Sequence, residues 1–195
     1  MFRSEIAKEE INQLEVRQFK GEIRVVDDTA SFRAAMKELR DYPVLGFDTE
    51  TRPSFRKGNN NRIALIQISN SHVAWLFRVN KIGIPELLKK WLEDDRVLKI
   101  GAGLNDDMRR LRQLITFEPG GFLDLQKYVE AFQIESKSLK KMVAIVLGYK
   151  ISKSQQMSNW ESEALTEQQL RYAATDAWVC LVVYHKLRDA LNHYS

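Results

Sequence analysis

Apolar positions along the chain recur with two periods, and residues that break or cap regular structure fall between the periodic stretches. Residues 4–14 carry the spacing of a short amphipathic helix, an addition at the N-terminus. Residues 23–26 are predicted as a strand, and Asp28 or Thr29 caps a helix reaching about Arg40. Residues 44–50 form an apolar, β-rich run and are predicted as a strand. A basic loop containing Pro53 and Gly58 follows, then strands over 62–69 and 72–79 joined by a tight turn at Asn70-Ser71. Pro85 opens a helix to about Glu93, residues 97–101 form a short strand, and a helix covers about 105–115. A brief strand at 122–125 leads into a helix over 126–132. Ser138 caps a helix that runs to Leu147 and is ended by Gly148. Thr166-Glu-Gln-Gln169 is a capping box that opens a long helix to about Asn192. Three strands in a row, then alternating helix and strand, imply a mixed β-sheet flanked by helices. The class is α/β.

This pattern places four carboxylates at readable positions. Asp48 and Glu50 lie two apart in one strand, so they share a face with Cα atoms roughly 6.6 Å apart. Leu45, Phe47 and Thr49 take the other face. Two carboxylates that close repel by about 3 kcal/mol at an effective dielectric of 20, which calls for a cation between them or a hydrated strand end. In Gly101-Ala-Gly-Leu-Asn-Asp-Asp107 a strand runs into a helix. The two glycines suggest a dinucleotide fingerprint, but Asp106 occupies the third glycine position, and acids at a helix N-terminus repel a pyrophosphate. At about 100° per residue Asp107 falls within the apolar stripe of Leu104, Met108, Leu111 and Ile115, whereas Asp106 points toward water. In the long helix Tyr172 and Asp176 are i, i+4 and meet at the margin of the buried face, where they serve either as a core hydrogen bond or as part of a site. Oxygen donors without His or Cys suit hard cations such as Mg²⁺ or Mn²⁺. Two such ions clamp the oxygens of a phosphodiester displacement.

Composition narrows the partners. The chain has 195 residues, 44% apolar, with 30 basic against 26 acidic side chains and a formal net charge of +4. That length buries about 70% of the unfolded surface, enough to fold without staples. Two windows, 51–62 and 136–160, hold nine basic residues and no acid, which leaves the rest of the chain at −5. Such asymmetry is either the footprint of a phosphate-backbone binder or two solvated loops. The lone Cys180 forms no internal disulfide, no run suits a membrane span, and the first ten residues lack a signal-peptide core. An intracellular protein is expected, cytoplasmic, or nuclear in a eukaryote, with no membrane partner. His72, His185 and His193 have no zinc spacing.

With these residues in place, the sequence resembles the DEDD superfamily of 3′→5′ exonucleases, tyrosine subclass. Phe47-Asp48-Thr49-Glu50 matches its first motif, the Gly-x-Gly-x-x-x-Asp run ending at Asp107 its second, and Tyr172-x-x-x-Asp176 its third. Asn61-Arg-Ile-Ala-Leu-Ile-Gln-Ile68 is similar to the strand after the first motif, and Ser158-Asn-Trp160 with Leu165-Thr is most similar to the Werner-type exonuclease domains. The resemblance spans about 23–191, so residues 1–22 are expected to be a helical extension and 23–195 the exonuclease domain.

The resemblance implies a ribonuclease-H-like fold and two divalent cations. Asp48 would bridge both ions, Glu50 and Asp176 would hold the one that activates water, and Asp107 would serve the other, directly or through water. Tyr172 would orient the attacking water or help deprotonate it, although a phenol of pKa about 10 is a poor base at neutral pH. The expected products are nucleoside 5′-monophosphates. Substrate contacts are expected from Thr49, from Phe55, Arg56 and Lys57 in the first basic window, and from Lys153 and Trp160; Phe55 and Trp160 have the alternative of packing their loops. The partner is a nucleic acid with a 3′ end, DNA slightly favoured because the Arg-Pro-Leu run of ribonuclease D is missing before the third motif. With no helicase motor in the chain, a protein partner is expected to supply targeting or unwinding. The competing readings are a ribonuclease D-like RNA-trimming enzyme and a non-catalytic nucleic-acid-binding module of the same fold.

Overall fold

The computed structural model describes residues 2–52 and 62–192. In chain order the elements are α1 (Lys8–Gln13), β1 (Glu22–Val26), α2 (Thr29–Leu39), β2 (Val44–Thr51), β3 (Ile63–Ser69), β4 (Val73–Arg78), α3 (Val79–Ile82), α4 (Glu86–Glu93), β5 (Leu98–Gly101), α5 (Leu104–Leu111), β6 (Phe122–Asp124), α6 (Leu125–Tyr128), a 3₁₀ turn (Val129–Phe132), α7 (Leu139–Leu147) and α8 (Glu167–Asn192). The strands form one six-stranded sheet in the order β1-β4-β3-β2-β5-β6. Only β3 runs antiparallel to its neighbours. This is the expected mixed α/β sheet.

The caps are those the residues dictate. The Asp28 carboxylate accepts from the Ser31 amide at 2.7 Å, and Thr166 and Gln169 close the box that starts α8. The β3–β4 turn is tight because Asn70 Oδ1 accepts from the amides of His72 and Val73, both at 2.7 Å. Two predicted helices come out shorter. The first spans only Lys8–Gln13, and α5 stops at Leu111 rather than near Ile115, where three residues continue as turn. The segment before β1 lies on the domain: the Phe19 side chain is buried and its amide donates to Thr175 Oγ1 at 3.0 Å.

Apolar cores cover both faces of the sheet. Leu45 and Phe47 of β2 join Ile66 and Ile68, with α2, α4 and α5, on one face. On the other, α8 lies across the central strands and buries Ala173 against Ala64, Leu65 and Leu76, while Val179, Cys180 and Val183 pack on α7. The continuous burial of β3, whose seven residues are all inaccessible or nearly so, is what a central strand covered on both faces requires. The face under α8 is the one that carries Asp48 and Glu50. No helix among the described residues is long and apolar enough to cross a membrane.

Candidate active site

Strand β2 delivers Asp48 and Glu50 to the α8 face, and α8 delivers Asp176 down onto them. One carboxylate oxygen from each of the three lies within 4.8 Å of the others. Asp107 stands beside this triangle on the first turn of α5, largely buried, and its Oδ1 accepts the Thr49 hydroxyl at 2.5 Å. Asp106, on the opposite side of α5, is exposed and paired with Arg109 at 2.9 Å. The helical geometry that separates these neighbouring acids is therefore realised.

Burial and mutual repulsion raise the affinity of these acids for protons. Asp48 is pushed well above the carboxylate range, first by burial and then by repulsion from Asp176, Asp107 and Glu50. Burial, with Asp176 and Asp107 adding to it, raises Glu50 to about 9. Asp176 rises to about 7 through burial, opposed by the hydrogen bond from Tyr172 and by the charge of Lys153. Asp107 rises to about 6 for the same first reason, opposed by Thr49 and Arg110. A set of half-buried and buried oxygen donors that repel one another, with no His or Cys among them, has the chemistry of a hard divalent-cation site. The residues fit such an ion.

Tyr172 donates its hydroxyl to Asp176. Burial and the Asp176 and Glu50 carboxylates push its pKa upward, so the phenol stays protonated. Its hydroxyl acts here as a hydrogen-bond donor to Asp176.

Two expected substrate contacts take other positions. Trp160 is fully inaccessible and packs on Tyr172 with ring centroids 6.0 Å apart, so it offers no surface to a substrate. The indole packs with Ala64, Leu65, Leu76 and Ala173. The Thr49 hydroxyl is committed to Asp107. Lys153 is exposed and near enough to Asp176 to lower its pKa. Phe55, Arg56 and Lys57 lie outside the described residues.

Sequence reasoning missed two supports. The Asp124 carboxylate accepts from the amides of Gly103 and Leu104, both at 3.0 Å, and of Gln126 at 2.9 Å. It thereby fixes the start of α5, where Gly103 adopts φ +80°, and so the place of Asp107. An Asp at a strand end before a helix signals a cap, but not that it serves a second helix 20 residues upstream. Gln67 is legible as the one amide in a strand apolar but for its last residue, Ser69; it is fully buried opposite Asp48.

Residues 23–192 match the family described as 3′-5′ exonuclease. The chain belongs to that family. The exonuclease domain is 36% identical over 155 residues to the bifunctional 3′-5′ exonuclease/ATP-dependent helicase WRN of Mus musculus, a match that covers 76% of this chain and 11% of that protein. Among solved structures it resembles the Nibbler EXO domain of Aedes aegypti, with TM-score 0.81, 26% identity and coverage of 92% and 94% of the two chains. It shares the fold of RNase D from Escherichia coli, an exoribonuclease involved in structured RNA processing, at TM-score 0.74 and 23% identity, over 88% of this chain and 45% of that one. The exonuclease domain spans between about a tenth and about half of the curated relatives it matches.

Proposed function

We propose that this domain hydrolyses phosphodiester bonds one at a time from the 3′ end of a nucleic acid and releases nucleoside 5′-monophosphates. The observation that carries the reading is the convergence of Asp48, Glu50 and Asp176 oxygens within 4.8 Å, from two elements far apart in sequence. Asp48, Glu50 and Asp176 would hold one divalent cation, Mg²⁺ or Mn²⁺, and Asp48 with Asp107 a second. When bound, such ions lower the pKa of water and neutralise charge on the scissile phosphate.

The chain's own residues do the rest. The protonated Tyr172 holds Asp176 through its hydroxyl, leaving one acceptor oxygen of the phenol to orient a water. Thr49 holds Asp107 in the same manner from the neighbouring strand. Lys153 brings a positive charge to the rim beside Asp176, where an incoming phosphate is stabilised. Arg56, Lys57 and Phe55 are proposed as further contacts to the terminal nucleotides.

DNA is the proposed substrate. The segment before α8 lacks the Arg-Pro-Leu run of ribonuclease D, which favours DNA slightly. The proposed setting is intracellular, in keeping with the buried free Cys180. A protein partner that unwinds or targets the substrate is proposed in line with the helicase part named in the mouse relative. Matched DNA and RNA oligonucleotides, 5′-labelled and with either a free or a blocked 3′ end, test the reading. Shortening of the free ends, faster on DNA, is expected. Faster loss of RNA would move the substrate to the second polymer, and equal loss of blocked ends would remove the 3′ polarity.

A further inference from the structure

Two buried polar side chains stand behind the acid cluster. Among the described residues, neither Trp160 Nε1 nor the amide oxygen and nitrogen of Gln67 has a partner at full hydrogen-bond geometry. Both side chains are fully inaccessible, so water does not compensate them. Buried donors left in this state are uncommon, because each gives up its hydration for nothing.

Their placement is specific. Trp160 sits in a loop clamped from below: the Arg78 guanidinium donates to the carbonyls of Glu163, at 2.8 Å, and Ser162, and Gln169 Nε2 donates to the Asn159 carbonyl at 3.2 Å. Its ring lies at 35° to that of Tyr172. So pinned, the indole N–H faces the Glu50 carboxylate. Gln67 is the residue directly opposite Asp48 in the antiparallel β2–β3 pair. Paired residues leave the sheet on one face with Cβ atoms about 4.5–5.5 Å apart, a gap that an amide spans. Catalytic hydrogen bonds are often long in a ligand-free site and tighten when it is loaded.

We propose that Trp160 and Gln67 are positioning residues for the metal-holding carboxylates: the indole N–H takes one oxygen of Glu50 and the Gln67 amide one oxygen of Asp48. The other oxygen of each acid is then aimed at the ion. This rests on the metal-dependent reading above. Outer donors of this kind orient ligating carboxylates, and their loss typically weakens metal binding about ten- to a hundredfold.

The test is the unfolding temperature of the whole chain as Mn²⁺ is titrated, without nucleic acid, for the natural protein, Trp160→Phe and Gln67→Met. Both replacements keep most of the apolar volume and remove the donor. The expected result is a Mn²⁺ midpoint raised about ten- to a hundredfold in each variant, over and above any fall in the EDTA temperature from the smaller side chain. An unchanged midpoint, whatever the EDTA temperature, would make both side chains packing residues only and overturn the proposal. A shift confined to one variant overturns the assignment of the other residue. If the natural chain itself gains no stability from Mn²⁺, the metal reading fails first and takes this inference with it.

Discussion

Gly46 of β2 lies directly beneath the backbone of α8: a Cβ at this position would stand 1.9 Å from the Ala177 carbonyl oxygen. Gly46 shares its face of the strand with Asp48 and Glu50, and Ala177 follows Asp176. The missing side chain thus sets the height at which α8 crosses the sheet, and with it the distance between the acids of β2 and the acid of α8. Gly46→Ala is expected to lift the helix. Overpacking of a tight core costs about 1–3 kcal/mol, so a fall of roughly 3–10 °C in Tm is expected. Stabilisation by Mn²⁺ should largely vanish in the same variant. A variant that keeps the Mn²⁺ response would separate helix height from the site.

Removing divalent ions should expose the repulsion in the cluster as a pH dependence. Glu50 at about 9, Asp176 at about 7 and Asp107 at about 6 lie above the usual carboxylate values near 4. The metal-free fold therefore binds more protons than the unfolded chain between about pH 4 and pH 9, and linkage makes its stability fall as pH rises through that window. Thermal unfolding in EDTA should show Tm decreasing from about pH 5 to about pH 9, and millimolar Mn²⁺ should flatten the slope by holding the carboxylates ionised. A flat profile in EDTA would mean that the acids are not coupled to folding.

Tyr172→Phe tests the protonated phenol. The ring contact with Trp160 at 6.0 Å survives this change, so Tm should move little. Misplacing a reacting water or its carboxylate partner costs about 10²-fold, which sets the expected fall in turnover. The pH profile of the remaining activity should keep its alkaline side, since the hydroxyl acts without ionising. Loss of an alkaline limb on mutation would assign the tyrosine a base role instead.

Asp124→Ala removes three hydrogen bonds from the start of α5 and α6. Caps of this type are worth about 0.5–2 kcal/mol each when replaced by Ala, so a Tm loss of several degrees is expected, with turnover falling further than stability because Asp107 loses its footing. Asp124→Asn keeps one acceptor and should recover part of both. Equal loss in the two variants would point to the charge of Asp124 and away from its caps.

Much of this was legible along the chain because local rules agreed with the fold. Period and caps located every long element, and helical phase told Asp107 from Asp106. Three features needed the third dimension. Trp160 reads either as a substrate contact or as a packing anchor, and only Arg78, more than 80 residues upstream, holding that loop against the sheet selects the second. The commitment of Thr49 to Asp107 depends on where α5 meets β2, which no spacing within either element reveals. The short helix α3 carries too few residues for a period to be seen.

The central claim, that the buried acids form a metal-dependent exonuclease site, is tested most directly with a 5′-labelled oligonucleotide, the purified chain and Mg²⁺ or Mn²⁺. EDTA and Asp48→Asn serve as controls. The account predicts a ladder that shortens one nucleotide at a time from the 3′ end, with 5′-monophosphates released, and no ladder in either control. An uncut oligonucleotide that is nonetheless bound, or a ladder that persists in EDTA, would contradict it.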